Sequence, residues 1–163
     1  MTDARLSLLP IPGRETHFNL ACFQGRERIS LSLHGVSERL FVQQAIEVVG
    51  EHCQTVTYGY RLQTGDDPNS WLLRWEYSRE PPKAGYEYPL AHLHANANFV
   101  DSGLAVDRLA KTPSHLHIPT ARVPLELVLW HLIAEWAVTP KIDDWREVLS
   151  ESLEGLEARR TAL

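Results

Sequence analysis

The sequence predicts an α+β fold, a mostly antiparallel sheet with helices packed on one face and a helical C-terminus. Apolar residues alternate at period two in runs such as Ile29, Leu31, Leu33 and Val56, Tyr58, Tyr60, Leu62. From Pro124 onward the apolar spacing becomes helical. Strands first and helices after imply a layered α+β arrangement rather than alternating βαβ units.

The 163 residues fit one domain, 1–163, long enough to close a core without disulfides. Residues 1–13, with Pro10, Pro12 and Gly13, read as an irregular lead-in. Runs 16–23 and 27–34 alternate about the Gln24-Gly25 break and predict a hairpin. Ser37 reads as the N-cap of a helix through Val49 that buries Leu40, Phe41, Ala45, Val48 and Val49 and stops at Gly50. Strands follow over 54–64 and 71–79, joined by the turn residues Gly65-Asp66-Asp67-Pro68-Asn69. Another extended run spans 86–99, and a linker over 101–111 leads to a short strand at 115–119. A largely apolar helix over 124–137, with Pro at its opening turn, and an acidic helix over 143–157 close the chain.

Composition narrows the function classes. Hydrophobic residues make up 44% and charged residues 23%, as in a soluble globular protein. A net charge of -5 excludes a broad electrostatic grip on nucleic acid, so any such site must be a local basic patch. The chain has neither a signal-peptide pattern nor an apolar run of spanning length, which predicts a cytoplasmic protein with no membrane partner. Cys22 and Cys53 have no zinc-finger or CxxC spacing and read as reduced thiols.

Four of the eight histidines fall in two copies of one tripeptide, His92-Leu93-His94 and His115-Leu116-His117. On a strand, residues i and i+2 point the same way about 6 to 7 Å apart, so each copy aims two imidazoles to one side and its leucine to the other. Leu93 and Leu116 are then expected against the helices, with the histidines on the opposite, non-core face. Strand parity adds Arg61, Arg74 and Glu76 to the histidine face.

Three readings compete for this face. In the first, one histidine is a general base and another a general acid in metal-independent RNA cleavage, with an arginine steadying the developing charge; the catalytic set is His92, His94, His115, His117, Arg74 and Glu76. In the second, two to four of these histidines bind a divalent transition metal such as zinc or iron, and Glu76 completes the set. A cupin would host such a site, but its downstream Glu and third His are missing. In the third, the histidines are half-buried strand residues bonded to Tyr, Asn or backbone. His17, His34 and His52 read as structural, and His131 as a partner of Glu135. No GxGxxG, P-loop or GxSxG motif is present.

The order YGYRLQ, LLRWEY, a proline-flanked HLH, HIPT, LELVLWHLI and DDWREVLSES resembles a group of small bacterial proteins, chiefly actinobacterial in type, over about Thr57 to Ser152. More distantly it resembles the TumE-type toxins of bacterial toxin–antitoxin pairs. That resemblance matches Tyr58 or Tyr60 to the early aromatic strand, Arg74 to the strand arginine, and His115 and His117 to the His-rich segment. The toxins' His-His pair and Arg-Tyr-Asp signature are absent, since Arg74 is followed by Trp75 and Glu76. The expectation is a small nucleic-acid-processing enzyme, a toxin-type ribonuclease with RNA as substrate, a cognate antitoxin protein as partner and no cofactor. The alternative is a noncatalytic binding or metal-holding module.

Overall fold

In a computed structural model of the chain, the described residues are 5–25, 27–67, 69–80, 89–96 and 115–161, with side chains described for all but 115–117 and 157–161. They form strands β1 (Arg5–Ile11), β2 (Arg14–Gln24), β3 (Glu27–Arg28), β4 (Leu31–Ser32), β5 (Arg39–Val49), β6 (His52–Gln63), β7 (Trp71–Ser78), β8 (Ala91–Asn96) and β9 (His115–Pro119), then helices α1 (Leu125–Glu135) and α2 (Trp145–Thr161). The nine strands make one antiparallel sheet in the order β1-β2-β5-β6-β7-β8-β9, with β3 on β2 and β4 on β5. An antiparallel sheet with two late helices is therefore the fold class. No helix among the described residues is long and apolar enough to cross a membrane.

Two compact units are distinguished. One takes the described residues of Met1–Ser32 and Glu38–Arg122, and the other those of Leu33–Ser37 and Val123–Leu163. The sheet unit buries Ala21, Cys22, Leu40, Val42, Tyr58, Tyr60, Leu62, Trp71, Trp75 and Ala91. Tyr60 turns its hydroxyl to Gln44 Oε1 at 3.0 Å and stacks on Tyr58 with ring centroids 4.7 Å apart, so its polar end is satisfied in the core. In the helical unit Val128, Leu132 and Trp145 are buried, and Trp145 meets Trp130 edge to face. His131 accepts a hydrogen bond on Nε2 from the Trp136 indole at 3.1 Å. Cys22 is buried and Cys53 exposed, both as free thiols.

Three elements differ from the sequence expectation. The segment expected as a helix from Ser37 to Val49 is strand β5, and every one of its residues pairs with β6. Its apolar residues fit both periods; β-branched Val42, Ile46 and Val48 and partners on both sides decide for the strand. The irregular lead-in contains strand β1, which turns into β2 through Pro12-Gly13, Gly13 taking φ 76. An edge strand tolerates Pro10 because it leaves one side of the ladder unpaired. The second arm of the first hairpin is broken: β3 returns on β2, but β4 pairs with β5. Strands β6, β7 and β9 and both helices lie close to their expected bounds. Of the extended run 86–99, β8 holds 91–96; residues 86–88, 97–99 and the linker 101–111 lie outside the described residues.

Candidate metal centre

Three adjacent strands bring the candidate residues into two rows. Cross-strand pairing sets Arg61 opposite Arg74 and Arg74 opposite His94, while the next row sets Gly59 opposite Glu76 and Glu76 opposite His92. Strand β9 extends the first row, with position 117 opposite His94 and position 115 opposite Asn96. The parity expected of Arg61, Arg74, Glu76, His92 and His94 is thus the parity observed. For His115 and His117 the backbone register is described and the side chains are not.

Burial on this face departs from expectation. His92 and His94 are 4% and 3% exposed, whereas Leu93 between them is only half-buried. Both faces of the sheet are therefore covered here: Leu93 shares its face with buried Trp75, Tyr60 and Val42 through the cross-strand pairs, and His92 and His94 are buried on the other. The imidazoles cover one another, with ring centroids 4.6 Å apart at 65°, and His94 meets the edge of Trp71 at 6.1 Å. One nitrogen of each ring has a hydrogen-bond partner, the Pro89 carbonyl for His92 and Glu76 for His94, which offsets part of the cost of burial.

Glu76 is the hub. Its Oε2 lies 2.9 Å from His94 Nε2 and 3.6 Å from His92 Nε2, and its Oε1 lies 3.2 Å from Arg74 Nε. Burial pushes the carboxyl up, but the His94 hydrogen bond and the charges of Arg74, His94 and His92 outweigh it and hold the group below its ordinary value. Burial is also the main reason that His92 titrates below its ordinary value, against the Pro89 and Glu76 contacts that favour its charged form.

Each ring has a defined orientation. His92 Nδ1–H donates to the Pro89 carbonyl at 2.6 Å, so in the neutral ring Nε2 carries the lone pair. A histidine whose far nitrogen donates to a carbonyl is the usual arrangement of a metal ligand. His94 Nε2 faces Glu76 Oε2 at 2.9 Å and Arg74 Nη2 at 3.4 Å. It donates to the carboxylate when protonated and accepts from the guanidinium when not. Arg74 is in turn held over the Trp71 ring, 5.1 Å from its centroid.

One ligand atom each from Glu76, His92 and His94 lies within 4.8 Å of the other two. Ligands about 2.0 to 2.2 Å from a tetrahedral zinc stand roughly 3.3 to 3.6 Å apart, so small side-chain rotations bring these three to one ion. Arg74 neutralises Glu76 rather than joining the set.

Two participants were not legible as site residues. The Pro89 carbonyl is backbone, and its only signal is a proline three residues before His92. Gly59 lies opposite Glu76, and a Cβ there would meet nothing within 4 Å. The glycine between Tyr58 and Tyr60 leaves open space on the strand opposite Glu76. Searches of protein-family models, curated proteins and solved structures find no match to this chain.

Proposed function

We propose that Glu76, His92 and His94 hold a divalent transition metal, zinc or iron(II) in class, in a two-histidine, one-carboxylate set, and that the protein acts through this centre. Convergence carries the reading: three groups of the right ligand type, on two paired strands, offer atoms within 4.8 Å of one another. The His92–Pro89 bond supports it by directing the lone pair of Nε2 to the Glu76 side. A cation between that lone pair and the carboxylate replaces repulsion with attraction. Three protein ligands leave a coordination position for water or substrate, the arrangement of catalytic rather than structural sites.

Elemental analysis of protein purified without chelator tests this. We expect close to one equivalent of transition metal per chain, lost in Glu76→Gln and in His94→Ala, and a melting temperature lowered by EDTA. Metal-free protein whose melting temperature ignores EDTA, zinc and iron(II) alike rejects the centre.

A second reading, a cytoplasmic toxin-type ribonuclease with RNA and an antitoxin as partners, is favoured by the placement of Arg61 and Arg74 on the face that carries the imidazoles. It requires that expression slows growth and that purified protein cleaves RNA, both abolished by Arg74→Ala, His94→Ala or His117→Ala. Full growth together with intact RNA rejects it.

A further inference from the structure

We propose that a cavity in the sheet unit, which shares no residue with Glu76, His92 and His94, binds the phosphate group of a small phosphorylated molecule. The cavity measures about 410 Å³, within the usual range for a small-molecule site. Arg28 of β3, Arg39 of β5 and Arg61 of β6 all line it, and Asp66 is the one carboxylate among the described lining residues. Three guanidiniums against one carboxylate leave an excess of two positive charges, which matches a phosphate monoester dianion.

Each arginine is prepared differently. Arg39 is fixed from behind, Nε donating to Ser30 Oγ at 2.7 Å and Nη2 to the Ser30 carbonyl at 3.1 Å, with Asp66 Oδ1 3.1 Å from Nε. Arg61 lies over the Phe41 ring, 4.2 Å from its centroid. Stacking uses the flat face of a guanidinium and fixes its plane, the orientation that a forked grip on phosphate oxygens requires. Arg28 stands exposed at the rim, where it can meet an incoming anion.

Gln63 supplies an independent observation. It is 2% exposed and lines the same cavity; its Nε2 donates to the Gly65 carbonyl at 2.6 Å, and its Oε1 has no hydrogen-bond partner. A buried acceptor left without a donor destabilises a fold unless something else answers it. A small turn of the Gln63 amide toward the cavity would let a ligand hydroxyl donate to it, which suits a hydroxylated phosphate ester better than a bare anion. Walls from Phe41 and Ile29 suit a small carbon skeleton. A half-open cavity of this size in a chain of net charge -5 favours such a molecule over a nucleic-acid strand.

Thermal melts and calorimetric titration with inorganic phosphate and with glycerol 1-phosphate test the site, against glycerol and against chloride at matched ionic strength. Both phosphates should raise the melting temperature, glycerol 1-phosphate more, and the controls should not. Arg61→Met and Arg28→Met should each weaken binding about tenfold or more, the loss expected when one charge-assisted contact is removed. Arg28 is exposed, so its variant keeps the test decisive if Arg61→Met fails to fold. A response no larger than that of chloride, or one unchanged in Arg28→Met, overturns the proposal. The cavity shares no residue with Glu76, His92 and His94, so a phosphate response in metal-free protein supports this site whatever becomes of the metal centre.

Discussion

Removing the imidazole of His94 deletes the donor 2.9 Å from Glu76 Oε2 while the carboxylate stays 34% exposed. The carboxylate then keeps Arg74 but loses its shortest partner, and the site of a 3%-exposed ring becomes a void. His94→Ala should therefore lower the stability of chelator-treated protein by about 1–3 kcal/mol in urea denaturation, with His94→Gln recovering part of the loss. An unchanged midpoint would show that the cluster contributes no folding energy. A leucine pair gives the matching test of burial. Leu62, fully buried on β6, should cost about 2–5 kcal/mol on truncation to Ala, and half-buried Leu93 clearly less. Equal losses would put Leu93 in the core after all. The identity and parity of the cluster were legible because period two is all that parity requires. Burial was not, because alternation separates two faces without saying whether one or both are covered.

Strand β5 shows how an element escapes single-sequence reading. Leu40, Phe41, Ala45, Val48 and Val49 make a fair helical stripe, and only the ladders to β2 and β6, contacts remote in sequence, decide against it. Outside the core the same strand is tied across the sheet by charge. Glu47 of β5 accepts from Arg79 just beyond β7 and lies 3.9 Å from His17 Nε2 of β2, while Arg79 Nη1 donates to Gln54 Oε1 of β6 at 2.8 Å. The Arg79 hydrogen bond lowers the Glu47 carboxyl below its ordinary value, and the same bond raises Arg79. A carboxyl lowered by folding adds stability above its unfolded value, and that stability is lost as the pH falls through the folded value. Glu47→Gln should thus flatten the acid limb of a melting-temperature profile and lower the neutral plateau only slightly, since the pair is exposed. A parallel profile, displaced equally at every pH, would deny the pair its part in acid unfolding.

At the scale of the molecule, buried residues concentrate on the middle strands. Leu40 and Val42 of β5 face Leu62 and Tyr60 of β6, and Trp75 of β7 continues the row from Tyr60. The first strand contrasts with them, for Leu6, Leu8 and Leu9 are all exposed on β1, which pairs on one side only. Local opening is easiest where few apolar contacts must be broken and the backbone bonds are near solvent. Native-state hydrogen exchange should find the slowest amides in residues 40–44 of β5 and 58–62 of β6, and faster exchange in β1 at equal intrinsic rates. The candidate metal ligands stand on β7 and β8, next to that buried centre, and the arginine cavity is lined from β2, β3, β5 and β6 and the residues that follow β3 and β6. Adding zinc should therefore slow exchange first in β7 and β8, and glycerol 1-phosphate in residues 28–32 and 61–66. Protection that spreads evenly over the sheet for both additions would mean that neither ligand has a local site.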